Sequence, residues 1–556
     1  MSNRALWTLV TVFALIKFAL VGWWPFLFLI YQTHDTQVFL NQAIHLLEGN
    51  WLGPYSEYTL MKGPATPIWI AAMNFLGIPL LTSHNFLYLG MCILLMTAFK
   101  RFTSSNGFAL FVYVLALFGP FTFEYGAIAS AFREMLHQPL VLGLFAISMI
   151  VFADFVQSRR ARNGYLILFG VIFCLFWNNR EEGLWILPWL TWLVAVMVAY
   201  LATERSSVNR WGSIRVLSRV ILVPVVIWGV GTLALAWKNY SEYGAFTVVE
   251  LKTAQFQRAF GGLIGIEAET WRPYHAAQGD VLDKFYNLPS GSELDLDGKD
   301  SDSRKSIHSL MLPWTFRSAV ANAGYYAQGG ESVLAFYDRI GREIEHACNT
   351  GEFNCAKPMF GLFPPWHESF PHRLRSAWWV VLQLVLDIEH HKTIHDYHSV
   401  GTPQDLRFVS RLVNSPTRAT EEEGDRSSPD FYYRMKKNKT KYGVKIVDLY
   451  RAFTPALFWL SAVGLVLAVY TSFRKRKLNA LDAIYLGLAG TLLLQLTMFA
   501  VLRMTGYSSS IRLFYMLYPV LYTFFAVALL SMAHNTRTAR DWYIQKNMEK
   551  TTNDRI

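Results

Sequence analysis

The sequence predicts an all-α protein that crosses a membrane many times. Of its 556 residues, 53% are hydrophobic, 15% are aromatic and only 16% are charged, against roughly 25% charged residues in an average soluble domain. Apolar runs of membrane length recur in both the first and the last part of the chain, and basic residues collect in the short loops between them. These three observations exclude a soluble enzyme and favour a polytopic helical bundle.

About ten apolar runs reach or approach the roughly 20 residues that a transmembrane helix needs. The first, 5–30, is too long for a cleavable signal peptide and has no small-residue cleavage site, so we expect it to remain as a span. The other nine lie at 84–100, 107–123, 131–153, 164–178, 183–202, 217–237, 452–473, 480–502 and 511–533.

Basic residues in the loops predict the orientation, because they accumulate on the cytoplasmic side. If the apolar stretch 65–81 lies on the membrane surface, the basic clusters at 100–101, 159–162, 205–215 and 474–477 all fall on one side. Counting 65–81 as a further span would scatter them. Both termini are therefore predicted to be cytoplasmic. The predicted domains are a transmembrane module with a first outer loop at 31–83, an outer-face domain, C-terminal transmembrane helices and a cytoplasmic tail, at 1–237, 238–450, 451–534 and 535–556.

The first outer loop is predicted to be folded. Its polar residues follow Thr36 at spacings of four, four and three, with apolar residues on the other side, which predicts an amphipathic helix that lies along the bilayer. The glycine and asparagine at 49–50 end that helix, and a second apolar stretch at 68–81 is broken by Gly77 and Pro79. The polar face consists of Gln37, Asn41, His45 and Glu48.

Asp35 stands between the first apolar run and this helix, at the predicted outer surface of the membrane. A carboxylate in that position is a candidate catalytic group. The alternative is that Asp35 only caps the helix that follows, because aspartate is a favoured N-cap residue.

Other ionisable residues are predicted to meet Asp35 on the outer face. Charges at or within membrane spans are expensive and therefore often functional, although each one alone is more often an interfacial anchor or half of a local ion pair. Glu124 is the second predicted catalytic acid, and the predicted substrate-binding residues are His34, Lys62, Arg133, Arg180 and Arg512. Carboxylates and cations together suit transfer from a lipid phosphate donor. A carboxylate accepts the proton of an acceptor hydroxyl, and the cations stabilise the phosphate that leaves.

The outer segment 238–450 is nearly balanced in charge, with 25 basic and 27 acidic residues, so the net charge of +11 comes from the remainder of the chain. The basic excess indicates topology and contact with lipid headgroups rather than nucleic-acid binding. The segment has no repeat of fixed period. It contains helical patterns at 331–348 and 374–391, and polar stretches at 290–306 and 418–429 that are predicted to be mobile loops.

Histidines and cysteines of the outer segment leave two questions open. A run of four histidines is compatible with a metal site, but the simpler interpretation, a solvated histidine-rich helix end or loop, is favoured. Cys348 and Cys355, separated by a predicted turn, are expected to form a disulfide in an oxidising compartment, the alternative being two unpaired thiols. Cys92 and Cys174 lie in apolar spans and are expected to be core residues. The histidine run is His390, His391, His395 and His398.

The order of these motifs resembles a known family. HDTQVFLNQA, LLEGNW, KGPATPIW and LGIPL, in that order, resemble the first outer loop of the GT-C superfamily of polyprenyl-phosphate-sugar glycosyltransferases, in the branch of protein O-mannosyltransferases and lipid A aminoarabinose transferases. REMLHQPLVLGLF, the REEG hairpin and SIRLFYMLYPVL resemble later segments of that family. The resemblance covers the membrane part and hardly any of 238–450. Many relatives have Asp-Glu where this chain has Asp35-Thr36, and KGP stands here for a KPP-like motif.

The resemblance implies a GT-C-like bundle in which Asp35 is the catalytic base, Lys62 contacts the donor phosphate and Glu124 is a second acid. It implies a polyprenyl-phosphate-sugar donor, a glycan, lipid or protein acceptor, contact with membrane lipids, and a site on the outer face of what we expect to be a bacterial inner membrane. The need for a divalent metal stays open.

Two other classes remain. A polysaccharide polymerase or ligase would not require an amphipathic first loop with an aspartate, and a transporter would show matching interrupted helices in two halves, a symmetry that this sequence lacks.

Overall fold

The structure is almost entirely helical, as predicted. The computed structural model describes residues 1–22, 24–32, 34–157, 163–181, 183–203, 207–296, 306–359, 362–387, 399–417, 430–475, 478–507 and 516–553. Up to the outer segment the helices are α1 Asn3–Val21, α2 Thr36–Leu47, α3 Ala65–Phe75, α4 Leu80–Phe99, α5 Asn106–Leu117, α6 Tyr125–Ile128, α7 Glu134–Val156, α8 Asn163–Trp177, α9 Leu187–Thr203 and α10 Ser207–Tyr243. They are followed by α11 Ala254–Gly265, α12 Gly279–Tyr286, α13 Leu312–Asn322, α14 Gly330–Thr350, α15 Phe370–Asp387, α16 Pro403–Leu412, α17 Asp430–Lys475, α18 Ala480–Thr505 and α19 Leu517–Asn553.

Short elements complete the described chain. Two strands, β1 His275–Ala277 and β2 Ile307–His308, form an antiparallel ribbon. The 3₁₀ helices are Pro120–Phe123, Gly183–Ile186, Glu250–Lys252, Gly291–Glu293 and Tyr326–Gln328.

Among the described residues, eight helices are long and apolar enough to cross a membrane, so the chain is a multi-pass membrane protein. They are α1, α4, α7, the segment Gly183–Ala202 that contains α9, α10, α17, α18 and α19. The other two predicted spans correspond to α5 and α8, apolar helices of 12 and 15 residues.

The bundle has two distinct ends. At one end, Asn3 at the start of α1 accepts hydrogen bonds from Lys100, at 3.3 Å, and from Asn106, at 3.1 Å. Arg101 is 3.4 Å from Asp154 near the end of α7. The predicted cytoplasmic residues therefore gather at this end, and the start of α7 and the end of α8 lie at the opposite end, beside the first loop.

The first apolar run is not one span, which corrects the prediction for 5–30. Helix α1 ends at Val21, and residues 24–32 run on as extended chain with bridges from Phe26 to Thr417 and from Leu29 to Val400. Pro25 explains the break, because proline disfavours a helical conformation at the residue before it and cannot donate a backbone hydrogen bond. The apolar residues 26–29 are buried against the first loop and α16 instead.

The first loop is folded, as predicted. Helix α2 covers the amphipathic segment, and Gly49 follows it with a φ of +81°. Helix α3 has 11 residues, which span only about 16 Å at the α-helical rise and cannot cross a bilayer. The two helices pack on each other and on α16, around Phe39, Leu40 and Ile70.

The outer segment contains its own core, formed by α11 to α14 around rings such as Phe256, Phe316 and Tyr337. Helices α14 and α15 match the two predicted helical patterns. Cys348 and Cys355 form a disulfide at the end of α14, with Cα atoms 5.6 Å apart.

Helix α15 packs against α17 and α18, a placement that the sequence did not predict. Its Phe370, Val381 and Val385 belong to the same apolar core as the membrane helices, and the Tyr518 hydroxyl of α19 donates to the Val385 carbonyl at 3.4 Å. Helix α17 begins at Asp430, so the end of the predicted outer domain continues directly into a span.

Several predictions lie outside the described residues: those for the four-histidine run, for the loop 418–429, for most of the loop 290–306 and for Arg512.

Candidate active site

Asp35 and Lys62 form an ion pair at the start of α2. The Lys62 ammonium donates to the Asp35 carboxylate and, at 2.6 Å, to the His34 carbonyl. Asp35 occupies the N-cap position, but within the described residues its side chain makes no capping hydrogen bond. The Lys62 side chain is only 8% exposed, whereas that of Asp35 is 38% exposed. A buried cation thus positions a carboxylate that solvent reaches.

The surroundings of Lys62 are aromatic and cationic. Its ammonium lies 5.3 Å from the ring centre of Phe39 and 5.2 Å from that of Trp314, which are cation–π distances. Burial lowers the pKa of Lys62, the ion pair with Asp35 opposes this shift, and the positive charge of Arg133 adds to it.

The hairpin between α8 and α9 forms the wall beside Lys62. The Glu181 carboxylate accepts from Arg133 and, at 3.1 Å, from the Gly63 backbone amide. The Asn179 side chain accepts from the Thr66 hydroxyl at 2.6 Å. The structure therefore brings Lys62 and Arg133 together through the hairpin.

Arg180 lies in the same hairpin but turns inward. It is buried and donates to Glu134 at 2.8 Å. The alternative considered for the outer charges, a local ion pair that fixes the structure, describes Arg180 well. It describes Arg133 only in part, because Arg133 also acts electrostatically on Lys62.

Gly63 permits this assembly. A Cβ atom at this position would lie 2.1 Å from the Asn178 carbonyl oxygen, far inside van der Waals contact. The Ala65 backbone amide donates to the same carbonyl at 3.3 Å. The KGP segment therefore contacts the hairpin backbone to backbone, and glycine is required at its centre.

The outer segment supplies one wall of the site. The Trp314 indole of α13 stacks on the His34 imidazole with ring centres 4.6 Å apart, and His34 lies 6.0 Å from the Tyr58 ring. Burial, followed by the charge of Lys62, lowers the pKa of His34, while Asp35 raises it. His34 is therefore neutral at neutral pH.

A buried polar network joins the first loop to the outer segment. The Tyr55 hydroxyl donates to Glu250 at 2.9 Å, and Glu250 accepts two hydrogen bonds from Arg317 at 2.9 and 3.0 Å. Glu250 and Arg317 are both completely buried. The Glu250 backbone amide also donates to the Leu60 carbonyl at 2.9 Å, so Glu250 joins the first loop to the outer segment through both its side chain and its backbone.

Two cavities are relevant to the site, one along α2 and one among the membrane helices. The first, a cleft of about 340 Å³, lies between the polar face of α2 and the chain at 52–59. We call it the α2 cleft. The second, a groove of about 300 Å³, lies between α7, α8, α9 and α10 and is almost entirely apolar. We call it the α8–α10 groove. Trp177 lines its outer part, directly before the hairpin that contacts Gly63.

Glu124 is buried beside another part of the bundle, at the end of the 3₁₀ helix Pro120–Phe123. It lies close enough to Tyr518 to act on it electrostatically. The preceding Thr122 accepts two hydrogen bonds from Lys17 of α1, at 2.6 and 3.1 Å. The catalytic role of Glu124 stays a prediction.

Three site residues escaped the sequence analysis. Glu181 stands in the REEG motif, which was noted for its arginine, so a signal was present. Lys17, a lone cation within an apolar run, was also a visible signal. Trp314 had no such sequence signal, because nothing in the sequence of the outer segment indicates which of its aromatic residues contacts the first loop. Within the described part of the chain, no group of three or more histidine, cysteine, aspartate or glutamate side chains could hold a metal ion.

The fold and the site together define a multi-pass helical membrane protein with a charged, partly buried polar site at the end opposite its basic loops. No protein-family model matches the chain, and no curated protein matches it. Among solved structures, it is similar to the crystal structure of the Archaeoglobus fulgidus oligosaccharyltransferase in the apo form, with a TM-score of 0.42 and 10% sequence identity. The match covers 98% of this chain and 52% of that one, so the chain spans about half the length of the structure that it matches.

Proposed function

We propose that this protein is an integral membrane glycosyltransferase that moves a sugar from a polyprenyl-phosphate carrier to an acceptor on the outer side of the membrane. The observation that carries the proposal is the Asp35–Lys62 pair, in which a buried cation contacts a carboxylate that solvent can reach. We place the site on the outer side of the membrane on the strength of the basic loops, and the protein in a bacterial inner membrane on the strength of the resemblance of its first loop.

The donor is assigned to the α8–α10 groove and the hairpin above it. An apolar groove open to the bilayer suits a polyprenyl tail, and the tail's phosphate would then meet Lys62 and Arg133. Both cations already have carboxylate partners, Asp35 and Glu181. The donor phosphate would therefore share these cations, and the charge that develops on it as it leaves would be stabilised in a site that is largely shielded from water.

The reaction is a single displacement. An acceptor hydroxyl attacks the anomeric carbon of the donor sugar, its proton passes to the Asp35 carboxylate, and the bond from that carbon to the phosphate oxygen breaks. The configuration at the anomeric carbon is inverted. Polyprenyl phosphate leaves with the electron pair of the broken bond.

Asp35→Asn tests the proposal. Asparagine keeps the size of the side chain and an oxygen for Lys62, so the protein should fold, while turnover should fall roughly a hundredfold or more because the base is gone. The assay is transfer of labelled sugar from polyprenyl phosphate by purified protein. Asp448→Asn, at an exposed position on α17, is the matched control. Near wild-type turnover in well-folded Asp35→Asn protein would refute the catalytic assignment.

Lys62→Ala tests the donor side. It should raise the concentration of lipid donor that is needed and slow the leaving of phosphate. Lys62→Arg should restore part of the activity, because arginine keeps the charge but changes its geometry. Unchanged donor use by Lys62→Ala would remove Lys62 from the site.

A further inference from the structure

The α2 cleft has the size and the position of a second substrate site. Its volume of about 340 Å³ lies within the roughly 300 to 1,000 Å³ that is usual for ligand pockets. Gln37 is the first residue of α2 that lines the cleft. Asp35 occupies the N-cap position of the same helix, only two residues earlier. Tyr58, another lining residue, lies within 6.0 Å of the His34 ring, measured between ring centres.

Gln42 gives the cleft an unsatisfied hydrogen-bonding group. Its side chain is 4% exposed, and its amide nitrogen donates to the carbonyls of Thr59 at 3.0 Å and Tyr58 at 3.3 Å. Its oxygen is buried and has no hydrogen-bond partner among the described residues. Because a buried acceptor without a partner is costly, a small shift of this side chain towards the cleft would be favoured by a ligand hydroxyl that donates to the oxygen.

The lining is polar but carries little charge. Seven of its ten residues have polar side chains, and none of the ten is a lysine, arginine, aspartate or glutamate. The titratable lining residue His45 lies 3.5 Å from Glu48, whose side chain is largely exposed. A phosphorylated or carboxylated ligand would find no lysine or arginine in this lining to pair with its charge. A peptide would find few apolar pockets for its side chains.

Amide and hydroxyl groups beside aromatic rings are suited to a sugar, which offers many hydroxyls and an apolar ring face. Besides Gln42, the amides are those of Gln37 and Asn41, and the rings at the Asp35 end are Tyr58, His34 and Trp314. A sugar that stacks there would present a hydroxyl to the Asp35 carboxylate.

We infer that the α2 cleft binds the acceptor and that this acceptor is an uncharged glycan, an inference that rests on the proposed function for the reaction itself. Of the acceptors compatible with a glycosyltransferase, a phosphorylated lipid and a peptide are disfavoured by the neutral lining. The polar face of α2 therefore faces the substrate, not bulk water.

The test measures binding without turnover. Purified full-length Asp35→Asn protein in nanodiscs is studied by saturation-transfer NMR with three sets of probes: oligosaccharides of neutral hexoses and N-acetylhexosamines, oligosaccharides of uronic acids, and a peptide rich in serine and threonine. We expect neutral oligosaccharides to bind, and the other two sets not to bind in the cleft.

Asn41→Leu, introduced into the same protein, obstructs the cleft at an exposed position, so it should not disturb folding. It should weaken neutral glycan binding by about tenfold or more through loss of hydrogen bonds and of space. Asn50→Leu, also exposed but outside the lining, should leave binding unchanged.

Failure of binding by every neutral oligosaccharide would overturn the inference. So would equal binding by the Asn41→Leu and Asn50→Leu proteins, or binding of the peptide or the uronic acids that Asn41→Leu abolishes. These results are independent of the Asp35→Asn turnover assay. The reaction could therefore fail its test while glycan binding stands, or the reverse.

Discussion

Lys62 is the residue on which the site depends. The sequence predicts that Asp35 acts on the acceptor and Lys62 on the donor of one reaction. In the structure their side chains are in direct contact. Both residues were predicted from the composition and order of the first loop, and their roles stay predictions. The contact between their side chains was not predictable, because 26 residues of chain separate them and only the fold of the loop decides whether they meet.

The close contact at Gly63 predicts a severe effect from a very small change. Gly63→Ala puts a methyl group 2.1 Å from the Asn178 carbonyl oxygen, so the hairpin that carries Glu181 must move. We expect a loss of roughly 1 to 3 kcal/mol of stability and a marked loss of transfer activity. Thermal unfolding and the transfer assay measure the two effects.

Gly90→Ala is the control for this prediction. Gly90 lies within α4, and a Cβ atom there would have no neighbour within 4 Å. This variant should be as stable and as active as the wild type. Equal behaviour of the two alanine variants would show that the backbone contact at Gly63 does not matter.

His34 predicts a dependence of stability on pH. Its pKa in the folded protein lies below the ordinary 6.5, so the unfolded chain binds the proton more readily. Its contribution to stability is complete above 6.5 and is lost as the pH falls from 6.5 through the lowered value. The melting temperature should therefore fall more between about pH 7.5 and about pH 5.5 in the wild type than in His34→Gln. An identical decline in both proteins would contradict this.

At the scale of single elements, the sequence predicted helices well and their neighbours poorly. The spacing of polar residues identified α2 correctly because only one periodicity fits it. Helix α15 has the pattern of an amphipathic helix of a soluble domain, yet its apolar face packs on membrane helices. Such a pattern states that a face is buried but not what covers it. Pro25 is a sequence signal for the early end of α1, but the prediction for 5–30 was based on hydropathy alone.

The α8–α10 groove predicts that one bulky side chain will select against long lipids. Val225 lines the groove and Val226 does not, although the two are similarly exposed, at 47% and 57%. Val225→Trp should fill the groove and raise the KM for a full-length polyprenyl donor severalfold, with a much smaller effect on a donor of one or two isoprene units. Val226→Trp should match the wild type.

The same comparison can exclude the groove. If Val225→Trp uses long and short donors as the wild type does, the lipid tail binds elsewhere on the bundle. A loss of activity with both donors, together with a lowered melting temperature, would indicate damage to the packing of α8 on α10 instead.

For the whole molecule, the multi-pass helical bundle and the sharing of polar residues between its two ends followed from hydropathy and from the basic loops. Ten spans were predicted, and the described residues contain eight helices of spanning length and two shorter apolar helices. The position of the outer segment on the first loop could not be predicted in this way, because it depends on contacts such as that of Tyr55 with Glu250. These contacts join parts of the chain that lie about 200 residues apart, and no local pattern records them.

The orientation is tested by single cysteines at two exposed positions, Ser292→Cys in the outer segment and Arg474→Cys at the end of α17. Cys92 is buried, Cys348 and Cys355 are bonded to each other, and the partly accessible Cys174 is first replaced by serine, so the background labelling should be low. On intact spheroplasts, an impermeant thiol reagent should label position 292 and not position 474. Labelling at position 474 and not at position 292 would show that the protein has the opposite orientation in the membrane.

The walls of the site come from widely separated parts of the chain, from His34 to Trp314. During synthesis the first loop emerges long before α13, and Lys62 lacks its indole neighbour until the outer segment has crossed the membrane and folded. A ribosome-bound chain that ends before α13 therefore holds an incomplete site. We therefore expect the site to be completed only after the outer segment has been translocated and has folded.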